Sequence, residues 1–253
     1  MSLLTVERIK LFSTRSPWWC MIIATALTVG LASISAAATK SSDLSEFTPV
    51  VTQDASELGL VVMMVMATLA ITTEYRFSTI RATFLAVPTR TSALVAKAVV
   101  VALLAGIVGE IIAVGSWGIA RLIQPDAPLG INTAQEYRSV FGVGLLYLLS
   151  AVLALAIGLL VRQSAGAVVI ELIYLLLLES LLPAIPRIGD HLQHWLPFTV
   201  ATNFIVAGEP ATSDGSEAIE GMPLGPWGSL LYYAAVCVGL FVIGLILAKR
   251  RDA

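Results

Sequence analysis

The sequence predicts an all-α membrane protein with six transmembrane helices and both termini in the cytoplasm. Three observations predict it. Apolar residues make up 57% of the 253 positions and charged residues only 13%, with a mean hydropathy of +0.88. Soluble domains carry about 45–50% and about 25% respectively. The apolar residues run on without interruption, unlike the alternating segments of roughly 10 residues that build outer-membrane barrels. The charges, finally, sort by loop.

Six runs are long enough to cross about 30 Å of hydrocarbon as helices. They lie near Trp18–Ala38, Glu57–Thr73, Ala93–Ile123, Ser139–Val161, Ser164–Leu182 and Trp227–Ala248. The first opens on Trp18-Trp19, an interfacial anchor pair. Basic residues before it and Ala36-Ala37-Ala38 at its end also allow a cleaved signal segment. The third is long enough to tilt. The fourth and fifth, parted only by Arg162-Gln163, form a tight hairpin. With six crossings and the N-terminus inside, Arg8, Lys10, Arg15, Arg76, Arg81, Arg90, Lys97, Arg162 and Lys249-Arg250-Arg251 all face the cytoplasm, 11 of 15 basic residues. Of the acids, only Glu7, Glu74 and Asp252 join them. The positive-inside rule therefore sets the orientation.

Between spans five and six runs the longest connection, roughly 183–226. Its first part (187–207) mixes apolar residues with His191, His194 and Trp195 and predicts interfacial or re-entrant helices. Its second part (208–226) is rich in Gly, Pro, Ser and acid and predicts an exposed loop. The two histidines lack a third metal ligand. Cys20 and Cys237 fall in apolar runs, so neither a disulfide framework nor a zinc site is expected. No basic stripe points to nucleic acid.

After the second span, residues 76–87 lack helix breakers, and Pro88 ends the stretch. Phe77, Ile80, Phe84 and Val87 recur at helical spacing and leave Arg76 and Arg81 off the apolar face. Two readings fit: a helix lying on the inner leaflet with arginines on lipid phosphate, or a helix docking onto a cytoplasmic partner. Three carboxylates, Glu110, Glu171 and Glu179, fall within spans. Ionisable groups at that depth face protein or water. They therefore line a translocation path, move protons, hydrogen-bond between helices or stay protonated, and Glu179, nearest the outer surface, is also placed for solvation at the interface. Glu171 and Tyr174, three apart, are expected to share a helical face.

The stretches ERIKLFSTRSPWW (ending at Trp19) and EYRFSTIRATFLAVPTR (from Glu74), together with Ala96-Lys97 and Trp195-Leu196-Pro197-Phe198, resemble actinobacterial ABC-2-type export permeases. The resemblance runs over nearly the whole chain, read as one domain, 1–253. It implies the transmembrane half of an ATP-driven exporter in the plasma membrane. Two such subunits pack around a path, and each contacts a cytoplasmic ATPase. The segment up to Ser16 would be a connecting helix, although its apolar residues run all around the helix. Residues 74–90 would hold the coupling helix, with Glu74, Arg76, Phe77, Thr79, Ile80, Arg81, Phe84 and Pro88 forming its elbow and docking surface. Glu110, Glu171 and Tyr174 are the candidates for the path. The chain has no Gly-x-x-x-x-Gly-Lys-Ser/Thr phosphate loop. No cofactor is expected on it, and ATP and Mg would belong to two copies of a separate ATPase. A hydrophobic or amphipathic cargo suits the scarcity of charge. The competing expectations are a proton-coupled carrier using Glu110 and Glu171, and a membrane anchor or assembly factor without transport.

Overall fold

The computed structural model describes residues 2–40, 42, 44–80, 83, 90–182, 185, 192–208 and 222–251, and every regular element among them is helical. Helix α1 (Leu3–Phe12) starts at Ser2, whose hydroxyl accepts the Thr5 N–H at 3.3 Å. Helix α2 (Ser16–Ala38) carries Pro17 in its first turn, where a missing N–H breaks no ladder bond. Two short 3-10 turns (Leu44–Glu46 and Val51–Gln53) lead into α3 (Ser56–Arg76). Helix α4 (Arg90–Ile123) is the longest, and α5 (Ala134–Phe141) opens with a reciprocal Thr133–Glu136 cap. Then come α6 (Val143–Val161) and α7 (Ser164–Leu172). The latter continues through a π-helical stretch (Ile173–Leu178) into Glu179–Leu181. Helices α8 (Pro197–Val206) and α9 (Pro226–Arg251) complete the described chain.

Among the described residues, five helical stretches are long and apolar enough to cross a membrane: Ser16–Ala38, Val51–Arg76, Thr91–Ile123, Val143–Val161 and Pro226–Arg250. The expected fifth span is the exception. Its apolar helix, Ser164–Leu178, is shorter, and it widens into the π stretch halfway along. The expected fourth span also starts later than its hydropathy suggests. The chain breaks at Gly142 between α5 and α6. A Cβ on Gly142 would stand 2.6 Å from Phe204 Cε1, so only glycine lets the two helices meet against α8.

Helix α6 is the centre of the bundle, packed against α3, α4, α7 and α9. Its Tyr147 is buried, and the hydroxyl donates to the Ser56 carbonyl at 2.5 Å. The ring fills the space left by Gly109, where a Cβ would lie 2.5 Å from Tyr147 Cγ. Close approach of helices over small residues is how bundles pack in lipid, where tails are as apolar as leucine. The exterior is apolar too: Trp18, Trp19, Ile34, Ile107, Leu176 and Leu231 all point outward. A water-soluble bundle would hide them.

Helices α2, α3, α4 and α6 alternate in direction, and α9 runs parallel to α6. At one end, the Arg162 guanidinium stacks over Tyr75 at 4.8 Å, and Gly244 of α9 packs on Leu159 of α6. At the other end, the Gln124 amide donates to the carbonyls of Ala36 (2.9 Å) and Thr39 (3.2 Å), closing the end of α2.

Candidate functional site

The first end holds the one dense charge network among the described residues. Helix α1 lies across it. The Lys10 ammonium pairs with Glu7 Oε1 at 2.8 Å and Glu74 Oε1 at 3.4 Å. Lys97 pairs with Glu7 Oε2 at 2.6 Å and Glu74 Oε1 at 2.9 Å. Lys10 also donates to Thr83 Oγ1 at 2.9 Å, which ties α1 to the segment after α3. Two carboxylates and two ammoniums cancel in charge, which is how ions survive with Glu7 only 3% exposed. Burial pushes the Glu7 carboxyl up, but the charge of Lys97 and hydrogen bonds from Lys10 and Lys97 outweigh it, and the net direction is down. Burial pulls the Lys10 ammonium down; Glu7 and Glu74 more than restore it, and the net direction is up. The network explains α1. A helix without an apolar stripe docks through charge, and one face buries a glutamate.

A cavity of about 840 Å³ opens beside this network, between α1, α2, α3 and the residues that follow α3. Its walls are mostly apolar, with Glu7, Lys10, Glu74 and Lys97 on one side.

The loop after α3 departs from the expected single helix over 76–87. Arg76 is the last residue of α3, and its guanidinium sits over the Phe77 ring at 5.5 Å. Ser78 takes φ +58°, a left-handed conformation that stops an α-helix, and helical structure resumes at Thr79. Phe77 and Ile80 consequently do not share a face. Phe77 is 67% exposed, while Ile80 is 5% exposed and packs in the bundle's own core. Thr79 is exposed, its hydroxyl donating to the Glu74 carbonyl at 3.4 Å. Arg81, Phe84 and Pro88 lie outside the described residues.

Glu110, Glu171 and Glu179 each have a hydrogen-bond partner. Glu110 of α4 accepts from the backbone of Gly144, in the first turn of α6. Glu171 of α7, 3% exposed, accepts from Thr68 Oγ1 of α3, and Thr68 also reaches the Ala154 carbonyl of α6 at 3.2 Å. Glu179 caps α8: its oxygens accept from the Phe198 N–H (2.9 Å), the Thr199 N–H (2.8 Å) and the Thr199 hydroxyl (3.1 Å). One oxygen each of Glu110 and Glu171 is buried without a partner. Tyr174 turns to α8, its ring 6.1 Å from that of Phe198. Glu171 and Tyr174 thus meet different elements, Glu171 against α3 and Tyr174 against α8. The face they were expected to share assumes regular α geometry, and Tyr174 lies in the π stretch.

Two groupings escaped the sequence reading. One is the pairing of Glu7 with Lys97, 90 positions apart, although both residues sit in the stretches that carried the resemblance. The other is the clamp on α8. Opposite the Glu179 cap, the Arg138 guanidinium of α5 donates to the carbonyls of Phe204 and Ala207 at the helix's far end. Among the described residues, no group of three or more His, Cys, Asp or Glu side chains is placed to hold a metal.

No protein-family model matches the sequence. A search of curated proteins finds no significant match either.

Proposed function

We propose that the chain is the membrane subunit of an ATP-driven exporter of the ABC-2 permease type, crossing the plasma membrane six times with both termini inside. The observation that carries this reading is the four-residue charge network. It draws the N-terminal Glu7-x-x-Lys10 pair, Glu74 at the base of the loop, and Lys97 of α4 into one neutral, partly buried cluster. Those are the stretches on which the resemblance rests. A cluster of that kind makes α1, the end of α3 and the start of α4 move as one piece. Such a linkage is what a transporter needs if force arrives from a separate ATPase through the loop after α3. The five long apolar stretches, with α7 and its π stretch as the remaining crossing, support the membrane layout.

In this reading the ATPase docks on the loop through exposed Phe77 together with Arg81 and Phe84; Ile80 is committed to the core. Two copies of the subunit, or one and a related partner, enclose the path, and two ATPase subunits bind ATP and Mg. The cargo is hydrophobic or amphipathic. The test is co-purification with candidate ATPases, followed by ATP hydrolysis and transport in proteoliposomes. Phe84→Ala with Arg81→Glu is expected to weaken association or uncouple hydrolysis from export. Wild-type association and transport in the double variant would remove the loop as the coupling element.

A second reading, a proton-coupled carrier, draws on the unpartnered oxygens of Glu110 and Glu171. Transport driven by a proton gradient with no ATPase present would favour it over export.

A further inference from the structure

At the opposite end of α3 from the charge network, α3, α6, α7 and α8 enclose a cavity of about 280 Å³. We infer that this cavity binds a small primary ammonium carrying an apolar body. The inference stands on the cavity itself and does not rest on the export reading.

The walls combine an apolar lining with two carboxylates, of which Glu57 is exposed and free of any ion pair with a described residue. Leu60, Leu146, Leu175 and Phe198 supply the apolar part, and Glu57 and Glu179 supply the charge. The two acids are not equivalent. Glu179 has both oxygens engaged by the first turn of α8, where free N–H groups and the helix dipole meet its charge. Glu57 has no such donor, no described basic group forms an ion pair with it, and it feels the charge of Glu179. Next to it, Ser56 also lines the cavity. Its carbonyl accepts from the Tyr147 hydroxyl, which leaves its own hydroxyl as a further polar group on the cavity wall.

The ligand class follows from these groups. An ammonium brings positive charge for Glu57 and three N–H donors, enough for a carboxylate and a hydroxyl together. Hard divalent cations fit poorly. They take about six or more oxygen ligands, whereas Glu179 is already engaged and no three-ligand group occurs among the described residues. The apolar walls call for a carbon body. The volume lies at the lower end of ligand pockets, about 300 Å³ and upward, and suits a body of one ring.

The test uses the purified full chain in lipid nanodiscs, with benzylammonium as probe and benzyl alcohol as its uncharged match, both followed by isothermal titration calorimetry. Benzylammonium is expected to saturate one site and to bind at least about tenfold more tightly than benzyl alcohol, the factor a charge-assisted hydrogen bond supplies. Glu57→Gln should remove that advantage and leave benzyl alcohol unchanged. Asp126→Asn, an exposed acid away from the cavity, should change nothing. Thr202→Phe fills the cavity without altering charge and should abolish binding of both probes. Equal affinity for the two probes, non-saturable uptake, or undiminished binding to either the Glu57 or the Thr202 variant would overturn the inference. Should Glu57→Gln fail to fold, the Thr202 variant and the probe pair still decide it.

Discussion

Glu7 illustrates how a single residue can hold an element with no apolar face. Its carboxylate is buried because Lys10 and Lys97 meet it there, and removing one partner of a buried ion pair costs about 3–5 kcal/mol. Glu7→Gln is therefore expected to loosen α1 from α3 and α4, which amide hydrogen exchange along Leu3–Phe12 would register as lost protection. The pH dependence follows from the same contacts. The folded Glu7 carboxyl titrates below its ordinary 4.5, so its contribution is present above that value and is lost as the pH falls through the lower, folded one. The folded Lys10 ammonium titrates above its ordinary 10.5, so its contribution is complete below that value and is lost only as the pH rises through the higher one. Protection of α1 should then stay level from neutral pH down to the carboxylate range and drop below it. Glu7→Gln should lack that acid limb. Loss of protection in wild-type protein near neutral pH would contradict the assignment.

At the scale of elements, α8 is a ten-residue helix whose two ends are satisfied from outside. A carboxylate sits at its N-terminus and a guanidinium at its C-terminus, both matching the helix dipole. Glu179→Ala should cost about 1–2 kcal/mol, as loss of an N-cap does. Glu179→Gln, which keeps an acceptor oxygen, should cost less. Thermal unfolding separates the two, and equal losses would show that the cap contributes nothing through its hydrogen bonds. The contact of α4 with α6 depends instead on the absence of a side chain. Gly109→Ala would press on a Tyr147 ring held by its own hydrogen bond, and overpacking of this kind costs about 1–3 kcal/mol. Gly118 of the same helix has open space around its Cα, so Gly118→Ala should be neutral or gain up to about 1 kcal/mol in helix propensity. A larger loss at Gly118 than at Gly109 would refute this account of the packing.

For the whole molecule, the two cavities lie toward opposite ends of α3, and their acids Glu57 and Glu74 stand about 26 Å apart along the helix at 1.5 Å per residue. The charge network marks one end and Glu57 with Glu179 the other. If the network end is cytoplasmic, a cysteine placed at exposed Thr79 reacts with a membrane-impermeant maleimide only after the cells are opened. One placed at exposed Asp126 reacts from outside in intact cells. Labelling of both from one side would break the alternation of spans. The native thiols Cys20 and Cys237 lie within α2 and α9 and should stay silent.

What the sequence determined alone is the helical class and the position of most spans. In lipid every backbone N–H and C=O must bond within its own segment, so a run of twenty apolar residues has one available structure. The positions of the basic residues are likewise readable, because they report where the runs end. The tertiary structure decided the rest, for a common reason: the deciding partner lies far along the chain. At the break in the fourth run only glycine fits, because the Arg138 carbonyl and the Phe204 ring occupy the space beside Gly142. Ile80 leaves the expected docking face because the core has room for it, once Ser78 has turned the backbone left-handed. Glu110, Glu171 and Glu179 look alike as isolated charges in apolar runs. Their hydrogen bonds differ because α6, α3 and α8 bring a helix start, a threonine hydroxyl and another helix start to meet them. Hydropathy reports where a segment lies; the partner of each polar group within it is set by packing.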